Sequence, residues 1–355
     1  MKSRIPWSRY RSLRSDLRLL PVAGILGDGA GVETKMRDLI RQMPKRRSTA
    51  RSVAVTTLSA IVAVLATISS VAGLLVAGGP GRHAATTARG ASVTLYGEGL
   101  YAADTWLLGT GNRGQDVAIL LVEVPLLLLA LRWYRRGGAV AAAALTGVLA
   151  FFTYYYVSAT FGNAQNRVFP LYVAAASAAG FALLIVASRL EASTVASALP
   201  DKPGRRALMI YLFGVAAALT IAWLPGMIET AISGNIAEAV GPYTSVVTEA
   251  LDLALVVPVT LVAAVQLLQC RPMGRVLAFV ILVVNLCIGT LLMAQGSAQL
   301  IAGVPLTVGD IIARMLSFAL LTLVAGGLLA RMALVAARTQ ASIASPNANG
   351  QGGVT

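Results

Sequence analysis

The residue in this sequence best placed for chemistry inside a membrane is Glu123, in the middle of an otherwise apolar stretch. A carboxylate there costs several kcal/mol unless it is paired or protonated, so such residues mark functional sites by default. Asp116 lies seven positions earlier. Two turns of regular helix place both acids on one face, with Glu123 about 10 Å deeper. The next apolar segment runs antiparallel and brings Tyr154-Tyr155-Tyr156 to a similar depth. Two readings follow. In one, Asp116, Glu123, Tyr154 and Tyr155 line a proton or cation path. In the other, a protonated Glu123 is clasped by Tyr154 or Tyr155, which ties two helices together for about 1 kcal/mol. Pro125 leaves a backbone carbonyl that a neighbouring group must satisfy.

A second concentration of polar and aromatic residues runs from Leu95 to Trp106: Tyr96, Glu98, Tyr101, Asp104 and Trp106. The aromatic rings suit the headgroup level of a bilayer, so the segment reads as lying along the membrane surface or as a lid over a cavity, and its residues are the candidate outer-loop binding set. Glu98 and Asp104 make one acid-base pair, short of the tighter cluster expected of a membrane enzyme, so no enzymatic activity is expected. With only Cys270, Cys287 and His83 available, no thiolate or imidazole metal site is expected. Gly27-Asp-Gly-Ala-Gly31 lacks the phosphate-loop order, and Gly109-Thr-Gly-Asn-Arg-Gly114 lacks a βαβ setting. No cofactor is expected.

The elements that must position these residues are membrane spans. The chain has 57% hydrophobic and 12% charged residues, with a mean hydropathy of +0.74. Those values exclude an ordinary soluble domain. Apolar runs predict eight spans near 52–77, 115–134, 139–161, 169–189, 207–228, 249–269, 274–295 and 309–334. The net charge of +14 is explained by topology without nucleic acid. Arginines follow every second span (Arg132, Arg135, Arg136; Arg189, Arg205, Arg206; Arg271, Arg275; Arg331, Arg338), as they do in the basic N-terminal tail. The opposite turns carry Glu98, Asp104, Asp116, Glu229, Glu238, Glu249, Asp252 and Asp310. The positive-inside rule then places both termini in the cytoplasm.

The expected organisation is a basic tail (1–51), a four-helix half (52–194) with an outer loop at 79–114, a linker (195–206), a second four-helix half (207–336) and a disordered tail (337–355). In the first tail, Val32, Met36, Leu39, Ile40 and Met43 share a helical face. That face suits an amphipathic helix on anionic lipid at the inner surface. An ungapped match of Asp116–Gly138 with Asp252–Gly274 suggests a tandem repeat of the halves, in which Glu123 corresponds to Val259.

The pattern Tyr96-Gly-x-Gly-Leu-Tyr-x-x-Asp104, followed by Asp116 and by Phe161-Gly162, Asn166 and Phe169, resembles a family of bacterial multi-pass membrane proteins of uncharacterised activity. The likeness covers mainly residues 95 to 190, and Arg167 stands where that pattern has proline. The resemblance implies a membrane fold, in the plasma (inner) membrane of a bacterium, and supplies no activity. The sequence leads to an all-α polytopic bundle acting as a sensor, scaffold or accessory subunit through its outer loop. The alternative is a proton- or cation-linked small-solute transporter working through Asp116 and Glu123. The lipid bilayer is the expected partner, and a protein partner is left unspecified.

Overall fold

The computed structural model describes residues 29–199, 204–236 and 240–344. It is an all-α polytopic bundle, with eight helices among the described residues long and apolar enough to cross a membrane. The chain divides into two units, Met1–Ser52 and Val53–Thr355. In the first unit only the leading part of helix α1 (Gly29–Leu75) is described, and the side chains of the Val32–Met43 face lie outside the described residues. The spanning part of α1 is Ser52–Leu75.

After α1 the chain makes a small antiparallel hairpin, β1 (His83–Thr86) and β2 (Ser92–Leu95), with His83 opposite Leu95. A short 3₁₀ turn at Gly99–Tyr101 leads into the second span. That span starts at Trp106, so the expected loop of 79–114 ends nine residues early. Thr105 caps the helix by accepting from Leu108 N–H at 3.3 Å. The polar, glycine-rich run Gly109–Gly114 gives no apolar signal, yet it packs as helix because Gly111 and Gly114 admit Gln295, Gln299, Ala294 and Ala298 of a later span.

The second span has two parts, α2 (Trp106–Ala118) and α3 (Val124–Arg135), joined by a π-turn at Ile119–Glu123. Pro125 follows directly. A proline lacks an N–H and its ring presses on the carbonyl four residues back, and the wider π-turn absorbs both effects. Helices α4 (Ala139–Gly162), α5 (Phe169–Ala187) and the short α6 (Ala192–Ala198) complete the first half. The fifth span is α7 (Arg205–Ser233). The sixth repeats the device of the second: α8 (Val247–Leu251), a π-turn at Asp252–Val256, then α9 (Val257–Leu268) with Pro258. Helix α10 (Pro272–Ile301) is the seventh span. After α11 (Val308–Ile311) and a third π-turn at Ile312–Leu316, α12 (Ser317–Ala344) carries the eighth. Helix therefore replaces the expected disorder over 337–344; residues 345–355 lie outside the described residues.

Two apolar cores hold the spans. The larger joins α1 to α5 with one side of α10, through Phe151, Phe152, Ala175, Ala179 and Val283. The smaller joins α7, α9 and α12 to the other side of α10, through Leu212, Ala263, Leu282 and Ala325. Span seven is thus the common wall of both cores.

Candidate functional site in the cap and the buried carboxylates

Asp116, Glu123 and Asp252 are buried against donors from other parts of the chain. Asp116 is 2% exposed and accepts from the Tyr101 hydroxyl at 2.7 Å, with Ser70 of α1 as a further donor. Tyr155 and Tyr172 stand close by, and Tyr156 shares a hydrogen bond of 3.2 Å with Ser69. Gly73 makes the approach of α1 to this carboxylate feasible, because a β-carbon there would overlap it.

Glu123 is fully buried, but its partner is neither Tyr154 nor Tyr155. Thr290 of α10 donates to Oε1 at 2.6 Å, and the Cys287 side chain lies beside it. The π-turn explains the correction. Its extra residue rotates everything after it by about 100°, so Asp116 and Glu123 diverge by roughly a third of a turn instead of sharing a face. Asp116 consequently meets α1 and the 3₁₀ turn, while Glu123 meets α10. Oε2 of Glu123 has no hydrogen-bond partner among the described residues. The Glu123 residue lines an apolar cavity of about 390 Å³ together with Leu121, Leu129 and Leu286, of which Leu121 is 72% exposed on the outer side of the bundle.

Tyr154 donates instead to Asp252 Oδ1 at 2.8 Å, and Trp223 Nε1 donates to Oδ2 at 2.9 Å. Both Asp252 oxygens are thus committed to protein donors. Arg113 donates to Tyr96 Oη and Leu74 O, both at 3.2 Å. The carboxylates of spans two and six reach across reciprocally, Glu123 to span seven and Asp252 to span three. In the register set by Pro125 and Pro258, Tyr154 corresponds to Cys287, three residues away from the register in which Asp116 meets Asp252.

The cap over the first core holds the other candidates. Tyr96 packs on Gly109, Leu100 and Tyr101 are buried, Glu98 is exposed, and Trp106 lies under Arg82 with the guanidinium carbon 4.0 Å from the ring centre. Asp104 is 1% exposed. Its Oδ1 accepts from Ala164 N–H at 2.7 Å and from the Tyr243 hydroxyl at 2.9 Å, and Thr105 N–H donates to that same hydroxyl at 3.1 Å. Arg89 at the hairpin tip donates to the carbonyls of Gly241 and Tyr243 at 2.5 and 2.7 Å. Three connections, after spans one, three and five, thus meet at Asp104. Burial raises its carboxyl to about 6, only partly offset by the Ala164 and Tyr243 donors, and Oδ2 is left without a partner among the described residues. Asp104 also raises the Tyr243 hydroxyl, together with burial as the larger cause.

Tyr243, Arg89, Thr290, Cys287 and Trp223 are not legible as site residues. Each meets its partner, an acid or for Arg89 two backbone carbonyls, over more than 25 positions of chain, beyond the reach of any local pattern. Among the described residues, no group of three or more His, Cys, Asp or Glu is placed to hold a metal ion.

The fold and these buried clasps define a polytopic helical membrane protein with a structured cap at one end. No protein family matches the sequence, and neither curated proteins nor solved structures give a match.

Proposed function

We propose that this chain is a non-enzymatic sensor, scaffold or accessory subunit of a bacterial plasma membrane, with both termini cytoplasmic and the cap outside. The supporting observation is where the polar groups are committed. Asp116 and Asp252 spend their oxygens on protein donors, as interhelical ties do. The cap combines an exposed hairpin and Glu98 with a buried junction at Asp104 that gathers three connections. A contact made on the hairpin is relayed through Arg89 to the 240–243 loop, and through Asp104 to the turn after span three. The test is photo-crosslinking in cells from exposed Thr94. A discrete crosslinked species is expected from the native chain. It should vanish when residues 84–93 are replaced by a short Gly-Ser turn, while the variant stays monodisperse. No discrete species from Thr94 would overturn the reading.

The proton- or cation-linked transporter is the second reading, favoured by one feature: the unpartnered Oε2 of Glu123, a residue that lines a cavity. Under the cap reading, neither the native protein nor Glu123→Gln acidifies proteoliposomes beyond the empty-vesicle rate when a membrane potential is imposed. A native flux abolished in Glu123→Gln would make transport the function instead.

A further inference from the structure

The arginine-rich end of the second half encloses a cavity of about 80 Å³, several times the space that one water needs. It lies between α7, the α9–α10 turn and α12. Its rim carries Arg205, Arg271, Arg275 and Arg331, its wall is Leu208, Leu267, Leu328 and Met332, and among the described residues no acidic side chain lines it. Arg205 is engaged by the Leu268 carbonyl and Arg275 by that of Ala196. The side chains of Arg271 and Arg331 have no hydrogen-bond or ion-pair partner among the described residues.

The local backbone presents Arg271 to this cavity at a cost. Helix α9 ends in a Schellman turn, with Arg271 N–H bonded to Gln266 O at 2.9 Å and Cys270 N–H to Leu267 O at 3.1 Å. The left-handed position, usually glycine, is Cys270 at φ 56°. Arg271 then caps α10 and Arg275 follows in its first turn, the end of a helix where the dipole disfavours cations. Topology alone needs arginines somewhere at this end, and does not need them converging on one cavity.

From this convergence the geometry points to a binding site for the phosphate headgroup of an anionic phospholipid, with an acyl chain lying along Leu208, Leu267, Leu328 and Met332. The apolar wall continuous with the cationic rim favours a lipid over a free anion, since soluble phosphate would use only the rim. This site is separate from the basic N-terminal tail and does not depend on the function proposed for the cap.

Cys270 supplies the probe. It lines the cavity and is exposed, and the chain's one other cysteine, Cys287, is 1% exposed. The full chain would be placed in phosphatidylcholine nanodiscs with or without phosphatidylglycerol, and the rate of N-ethylmaleimide labelling at Cys270 measured. Phosphatidylglycerol should slow labelling, and inorganic phosphate in pure phosphatidylcholine should not. The double variant Arg271→Gln/Arg331→Gln should require about 30-fold more phosphatidylglycerol for equal protection, roughly fivefold per arginine. Native mass spectrometry of the unmutated protein gives an independent arm, in which phosphatidylglycerol is retained in preference to phosphatidylcholine. Equal labelling in both lipids without preferential retention, or undiminished protection in the double variant, overturns the site. Protection by inorganic phosphate alone overturns the lipid assignment in favour of a soluble anion.

Discussion

Replacing Gly73 by alanine is expected to cost the protein about 2–6 kcal/mol. The added β-carbon would overlap the Asp116 carboxylate and stand 2.7 Å from the Tyr101 hydroxyl. Overpacking of this kind costs about 1–3 kcal/mol, and displacing the carboxylate leaves buried donors unpaired at about 1–3 kcal/mol more. The check is thermal unfolding in detergent in a Cys270→Gly background, read by a thiol-reactive dye that reaches the remaining Cys287 only when the bundle opens. Gly214→Ala is the control, because no atom lies within 4 Å of a β-carbon built there. Equal midpoints for the two variants would show that α1 can shift and that the Asp116 clasp does not bind it.

The contrast between these two glycines shows what the sequence could convey. Eight spans were legible because some twenty consecutive apolar residues permit few other structures. Gly73 and Gly214 look alike as small residues in such runs, and only the neighbouring helix distinguishes them. The start of span two escaped for the opposite reason: Gly109–Gly114 is too polar to read as a span, and its burial against α10 is a long-range fact. Glu123 was recognised as a residue needing a partner, yet the partner was misassigned. A seven-residue spacing implies one face only in a regular helix, and the π-turn ahead of Pro125 breaks that rule. The proline was the local sign of an irregularity, and a second π-turn ahead of Pro258 recurs with it. Asp104 stood out through its motif, whereas its dependence on Ala164 and Tyr243, the latter 139 positions away, had no local trace.

That junction carries the second large expected effect, a pH dependence of stability that one substitution removes. Burial holds the Asp104 carboxyl at about 6 in the folded chain, above its ordinary value of 3.8. The folded state therefore binds the proton more tightly than the unfolded state does. Its stabilising contribution is complete below about pH 4, declines as pH rises and is exhausted above pH 6. Between pH 5 and pH 7 the native protein should lose about 1.4 kcal/mol from this group alone, one pKa unit's worth of free energy. Asp104→Asn keeps an oxygen to accept from Ala164 N–H and Tyr243 while carrying no titrating proton, so its unfolding midpoint should be flat over this range apart from the background set by other groups. The difference between the two pH profiles isolates the junction. A native profile parallel to that of Asp104→Asn would mean that the carboxylate is solvated and that the cap is not closed around it. A steeper native profile would mean that the external pH acts on the point where three connections meet, and the cap would then have a chemical input of its own besides any partner on the hairpin.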